Sequence, residues 1–395
     1  MFLSLFIILF FGFLGGLLLE KIKMPKLVWY LILGILIGPS FLNVIDDSLL
    51  NISSYLRQIA LVIILTRSGL SLDLKTLKEI GRPAILMCFL PATFEIIGIT
   101  IFGPILLKIS YFEALLLGSV LAAVSPAVVV SRMIYLKENN YGAKHHVPEL
   151  IMAGSSCDDI YVIILFYAFK NLVLMNTFEV MSLLQIPVSI LLGIVVGIML
   201  GFLIRILFKK ISLANQIKII VLLSISFGLI ALEQIIKVYI SFSSLLAIIV
   251  IGIVINKTNA KEAEEIQKGY NSLWNGFEIL LFTLVGCATD AKLAFSKEGA
   301  IVLGLIVIAL IFRSLGVIIC VILTKYTWKE KIFLIISYLP KATVQASIGG
   351  IALAEGLACG SIVLTAAVIS ILFTAPIGAI LMDNLYKKLL KKDEI

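Results

Sequence analysis

Charge is what this sequence has least of: only 14% of its 395 residues are Asp, Glu, Lys or Arg, against 61% that are hydrophobic. With a mean hydropathy of +1.13, the chain has too little polar surface to coat a water-soluble globule, which excludes that class. Long polar stretches are also missing. The longest insert between apolar runs, about 256–272, is too short to bury a core, so no extra soluble domain is expected. Cysteine follows no metal or redox spacing: Cys88, Cys157, Cys287, Cys320 and Cys359 lie scattered in or at the ends of apolar runs and read as small packing residues. No basic segment precedes the first apolar run, whose charges Glu20, Lys21, Lys23 and Lys26 follow it, so it reads as a retained span rather than a cleaved signal.

What is present is a succession of apolar runs, each long enough to cross a hydrocarbon core of about 30 Å as a helix. Thirteen are expected, at 2–19, 27–45, 52–67, 83–107, 112–135, 147–171, 184–208, 216–233, 241–256, 270–290, 299–324, 330–355 and 359–386. Barrel strands would alternate over about ten residues instead, so the expected fold is an all-α integral membrane protein. The net charge of +8 does not point to nucleic acid, because the basic residues sit in short loops. Assigning alternate loops to the two sides places 24 of the 32 Lys and Arg on one side, including Lys75, and five on the other: Lys108, Lys170, Lys237, Lys292 and Lys297. That bias predicts an outside N-terminus and a cytoplasmic C-terminus, ending in a basic tail over 387–395 that could touch anionic lipid.

The two halves look related. Span 5 carries Ser125-Pro126-Ala127 and span 12 carries Pro340-Lys341-Ala342-Thr343, a proline among small or polar residues where a helix should be unbroken. Both are expected to be interrupted helices. One span before each break stands a lone ionisable residue, Glu95 and Arg313, 218 residues apart, while Pro126 and Pro340 are 214 apart. Spans 1–6 and 8–13 would then form two inverted-topology repeats around a single odd helix, with a site where the broken helices cross.

A charge near the bilayer centre costs about 2.5 to 3.5 kcal/mol on insertion scales, so the intramembrane set Glu95, Asp158, Asp159, Arg313 and Lys341 marks a functional site. Asp158 and Asp159 are adjacent on span 6 and point about 100° apart on a helix. One is expected to line a cation pathway and the other to meet a neighbouring helix or a basic partner. A carboxylate that holds either a proton or a dehydrated alkali cation, never both, couples two fluxes by competition. The oxygen ligands at hand, namely the two carboxylates, Ser125, Ser155, Ser156, Thr343 and freed backbone carbonyls, suit sodium or lithium as the transported metal. Glu95 and Arg313 are expected to form a buried ion pair of architectural role. Lys341 either neutralises helix C-termini at the break, pairs with Asp158, or carries a proton itself. Glu278 and Glu355 could reach an interface, the His145-His146 pair could sense pH, and Gly12 with Gly16 could form a packing face.

Ala123 to Val130, Val147 to Asp159 and Pro340 to Ala346 together resemble the NHA-type sodium/proton antiporters, which stand with NhaA and NapA in the second cation:proton antiporter subfamily. Arg67-Ser68-Gly69-Leu70-Ser71-Leu72-Asp73 is similar to a loop of that family. The resemblance implies an NhaA-like homodimer working as an elevator. Core helices over 83–171 and 299–386 would move against scaffold helices over 1–82 and 216–290, with a linker helix at 184–208. It implies that Asp159 is the essential ion-binding residue and Asp158 its partner in a double-aspartate motif. Electrogenic bacterial members have a lysine where this chain has Arg313, which cannot release a proton at working pH. The resemblance therefore implies electroneutral exchange of one cation per proton across the cell inner membrane, with no enzyme activity and no cofactor. A potassium/proton antiporter of the same fold stays open as the alternative. Three rivals fare worse: a potassium-efflux or channel-like relative needs a gating domain, which a tail of about ten residues does not offer; a sodium-coupled organic-anion symporter needs a roomier cavity and fewer buried acids; and an intramembrane aspartyl protease needs aspartates facing each other from two helices.

Overall fold

The computed structural model describes residues 1–72, 78–175, 180–211, 213–236 and 242–393. Asp73, Lys75 and Lys237, used above in the family loop and the charge bias, lie outside them. Among the described residues no strand is present beyond one isolated bridge, Tyr141 to Lys392. Among those residues, nine helical stretches are long and apolar enough to cross a membrane. The other four expected spans fall on helices that miss that mark for visible reasons. Two are short, Lys26–Ile37 and Ser244–Thr258. A third, Ala260–Ala288, carries Asn271, Asn275 and Glu278 along its apolar half. The fourth is cut by its own break.

The helices, in chain order, are α1 (Phe2–Lys21), α2 (Lys26–Ile37), α3 (Asp47–Ser71), α4 (Arg82–Met87), α5 (Leu90–Leu107), α6 (Tyr111–Leu121), α7 (Pro126–Glu138), α8 (Val147–Met175) and α9 (Val180–Lys210). They continue as α10 (Asn215–Ile236), α11 (Ser244–Thr258), α12 (Ala260–Ala288), α13 (Ala291–Ala294), α14 (Lys297–Val321), α15 (Trp328–Ser337), α16 (Thr343–Ile348), α17 (Ile351–Ala354) and α18 (Gly360–Leu389). Two compact units result, one of residues 1–57, 75–173 and 279–395, the other of 58–74 and 174–278.

The larger unit is built on α5 against α14 and contains both breaks. Each broken span starts from the same local signal. At α6, Ser110 Oγ accepts from the Glu113 N–H at 3.2 Å while Glu113 Oε2 accepts from the Ser110 N–H at 2.8 Å. At α15, Thr327 Oγ1 accepts from the Glu330 N–H at 3.3 Å while Glu330 Oε2 accepts from the Thr327 N–H at 2.7 Å. These are two capping boxes, satisfying orphan donors reciprocally at each helix start. α6 ends at Leu121, and α7 restarts with Ser125 in an extended conformation and Pro126 in the first turn, where a missing N–H costs nothing. α15 ends at Ser337, Pro340 stands in the gap, and α16 restarts at Thr343. A third interruption, absent from the sequence reading, separates α4 from α5 at Cys88 and Phe89, just before Pro91.

Elsewhere in this unit Gly12 and Gly16 do form a packing face. A Cβ on Gly12 would stand 2.5 Å from Ile279, and one on Gly16 2.8 Å from the Tyr30 hydroxyl. The basic tail is less solvated than a free helix end: Leu390 is buried, the Gly142 N–H donates to Lys391 O at 2.8 Å, and Asp393 Oδ2 accepts from the Lys144 N–H at 2.7 Å.

In the smaller unit, α9 packs on α11 through Gly193, Gly197 and Gly201, one small residue per turn, so that the backbones approach closely. The polar stretch around 256–272 is not a loose connector: from Ala260 it is the first half of α12. There Glu262 pairs with Arg205 at 3.1 Å and Lys218 at 2.6 Å, tying α12 to α9 and α10.

Candidate ion-binding site

Breaking a helix frees backbone carbonyls at one stump and N–H groups at the next, and inside lipid each must find a partner. The two breaks first use each other: the Ser125 N–H donates to Pro340 O at 2.8 Å, which locks them into a crossing. The remaining groups are satisfied by the charged side chains that the sequence singles out. At the end of α6, Leu121 O accepts from Lys341 Nζ, Ala122 O from Arg313 Nη1, and Ala123 O from Gln345 Nε2 at 2.8 Å. At the end of α15, Tyr338 O accepts from Arg313 Nε at 2.8 Å. Cations placed on helix C-termini also oppose the helix dipole. On the donor side, the Val124 N–H donates to Asp158 Oδ2 at 3.0 Å.

The charges pair in the same space. Arg313 Nη1 lies 2.7 Å from Glu95 Oε2 and its Nη2 lies 2.8 Å from Asp158 Oδ2. Lys341 Nζ lies 2.6 Å from Glu95 Oε1, so it meets Glu95 and not Asp158. One guanidinium thus serves two carboxylates and two carbonyls, a use of its five-donor fork that lysine cannot copy. Glu95, Asp158 and Lys341 are fully buried, Arg313 is 1% exposed and Asp159 3%.

Of the expected hydroxyl ligands, Ser125 Oγ and Thr343 Oγ1 are buried at the crossing with no hydrogen-bond partner, as is Asp158 Oδ1. Ser155 and Ser156 donate instead to Met152 O on their own helix, at 3.1 and 3.0 Å. Gln345 was not expected. It anchors α16 to the stump of α6 and leaves its own Oε1 unpartnered in the interior. Its signal in the sequence was there, an amide two residues beyond Thr343 in an otherwise apolar span. Unpartnered buried oxygens are costly in a dry interior and suit a hard cation. Of the weaker candidates, Glu355 pairs with Lys170 at 2.7 Å, and His145 Nδ1 lies 2.9 Å from Glu330, the capping residue of α15.

Behind the crossing, α8 and α15 meet at Gly154, where a Cβ would stand 2.0 Å from the buried Tyr338 hydroxyl. Tyr338 cannot yield easily, because its carbonyl holds Arg313 and its ring lies 5.4 Å from the guanidinium carbon. Gly154→Ala is therefore expected to destabilise the fold by about 1 to 3 kcal/mol, the usual range for overpacking. A lowered melting temperature in detergent would register it; an unchanged one would mean that Tyr338 has room to move.

A family model described as sodium/hydrogen exchanger, transmembrane, matches residues 5–384. Sodium/hydrogen exchanger 9B1 of Mus musculus is 35% identical over 408 residues, an alignment covering 99% of this chain and 72% of that protein. Sodium/hydrogen exchanger 9B2 of Homo sapiens is 34% identical over 409 residues, covering 98% and 75%. In fold, the chain is similar to the sodium proton antiporter MjNhaP1 from Methanocaldococcus jannaschii, with a TM-score of 0.82 at 20% identity over 98% of this chain and 97% of that one. With its membrane-length apolar helices and a match that runs nearly end to end, the chain belongs to the sodium/hydrogen exchanger family, as a multi-pass membrane protein.

Proposed function

We propose that this protein exchanges a small monovalent cation, sodium or lithium, for protons across the inner membrane, at the crossing of its two broken helices. One observation carries the reading. Glu95, Asp158, Arg313 and Lys341 are buried and paired at the crossing, next to buried oxygens of Ser125, Thr343 and Asp158 that have no hydrogen-bond partner, and such a set of hard oxygens suits a small alkali ion. By the resemblance, Asp159, the residue after Asp158 on α8 and itself buried, is the seat of the exchange: its carboxylate takes a proton or the cation, and each excludes the other.

The rest of the set has positioning work. Arg313 and Lys341 hold the stumps of α6 and α15 and cancel Glu95 and Asp158. Occupied by either ion, the Asp159 carboxylate is neutral, and a neutral group crosses the low-dielectric interior at far smaller cost than a charged one. That supports an elevator in which spans 4–6 and 11–13 carry the site against spans 1–3 and 8–10, with thirteen spans in all. It also supports electroneutral exchange of one cation per proton, because Arg313 cannot add a second proton to the cycle. The homodimer and the outside N-terminus rest on the resemblance and on the loop charges.

Purified protein in liposomes, followed with a pH-sensitive dye, is expected to dequench the dye on addition of sodium or lithium. Potassium in place of sodium tests the rival cation. An imposed membrane potential is expected to leave the exchange unchanged, and a potential-driven current would refute the one-to-one stoichiometry.

A further inference from the structure

Two of the five cysteines stand against each other. Cys88 occupies the interruption between α4 and α5 and Cys157 sits on α8 in the residue before Asp158, where the contacts on either side bring the two thiols to face each other. That contact is the middle rung of a ladder. One turn earlier on α8, a Cβ on Gly154 would stand 3.0 Å from Met87 Cβ. One turn later, the Tyr161 hydroxyl lies 2.8 Å from Thr93 Oγ1, with its ring centre 6.1 Å from that of Phe89. The register of the two sulfurs is therefore set from both sides. The Cys88 thiol also donates to Ala84 O at 3.1 Å, a carbonyl of the short α4. Both cysteines are only half-buried, whereas Cys287, Cys320 and Cys359 are buried. The ion site makes no use of either thiol.

We propose that Cys88 and Cys157 are an intramembrane dithiol, a modification site that two-electron oxidants of the diazene or peroxide class close into a disulfide. The two thiols lose two protons and two electrons as the S–S bond forms; a diazene takes up both and becomes the hydrazine. A disulfide holds its sulfurs at about 2.0 Å, closer than two unbonded thiols can approach, so closure draws the α4–α5 interruption onto α8. Asp158 and Asp159 follow Cys157 directly, and Asp158 is held to Arg313 and Val124 by contacts near 3 Å. Closure displaces those aspartates from the crossing and arrests exchange.

The test treats the purified full chain with diamide, alkylates the remaining thiols and maps the peptides by mass. A peptide pair joining Cys88 to Cys157 and released by dithiothreitol is expected. In liposomes the oxidised protein should lose about tenfold or more of its sodium-driven dequenching, in line with the cost of misplacing a reacting group, and regain it on reduction. Cys88→Ser and Cys157→Ser should each transport normally and ignore diamide. Full alkylation of both thiols after diamide overturns the site, and a complete disulfide with unaltered exchange overturns the arrest. The mass readout needs no transport, so a protein that forms the bond yet never exchanges sodium counts against the exchange reading and not against the dithiol.

Discussion

Asp159→Asn is expected to abolish sodium-driven dye dequenching in liposomes, to the level of vesicles without protein, while the protein still folds. Asparagine is nearly isosteric with aspartate and removes the only property that matters here, a negative charge that proton and metal ion share in turn. The same variant gives a second readout independent of transport. An ion that binds only the folded state stabilises it by about 2.7 kcal/mol when present at a hundred times its dissociation constant. Wild-type protein should therefore melt higher in sodium than in choline, less so as the pH falls and protons compete. Asp159→Asn should show neither the rise nor its pH dependence. If Asp159→Asn keeps the sodium-dependent rise and Asp158→Asn loses it, the roles of the two aspartates are reversed.

Removing Arg313 should cost more in stability than any other single change at the site. Arg313→Gln strands Asp158 in a dry interior, leaves Glu95 to Lys341 alone, and leaves the carbonyls of Ala122 and Tyr338 without a donor. Breaking a buried ion pair from one side costs about 3 to 5 kcal/mol, because the surviving charge is uncompensated. At the usual conversion that lowers the melting temperature by roughly 5 °C or more. Arg313→Lys should recover only part of it, since one ammonium cannot reach four acceptors on four helices. Asp158→Asn combined with Arg313→Gln should lose less than the two single changes together, as expected for groups in direct contact. Fluorescence-detected size exclusion after heating measures all of these, and an Arg313→Gln protein that melts with the wild type would remove the architectural role.

Much of this site can be read from the chain before any coordinates. Glu95 and Arg313 stand out because a charge within an apolar run is expensive, and their matched offset from two prolines makes them counterparts. A further signal lies in the sequence: Ser110 to Glu113 and Thr327 to Glu330 are capping boxes at the starts of the two broken spans, separated like the rest of the repeat. The interruption at Cys88 is harder to see, because Pro91 follows a short helix of ordinary apolar residues and the span's hydropathy does not dip. Lys341 could not be assigned from sequence at all. Its reach covers Asp158, Glu95 and several helix ends, and which of them it meets depends on how α5, α6 and α16 are placed against each other. The role of Gln345 is silent in the sequence for the same reason, since an amide declares its role only when its acceptors, Leu121 O and Ala123 O, are in view.

Composition and periodicity alone settle that the chain is helical and belongs in lipid, because a backbone without water must satisfy its own hydrogen bonds locally. Local chemistry also points to where two spans break, since a proline removes a backbone donor and, among small and polar residues, leaves little to hold the helix together. Pairing is another matter. That one guanidinium holds Glu95 and Asp158 together, that Lys341 turns to Glu95, and that Cys88 meets Cys157 are contacts between residues far apart in sequence, 218 positions for Arg313 and Glu95, and only the packing of helices against one another brings such partners within bonding distance.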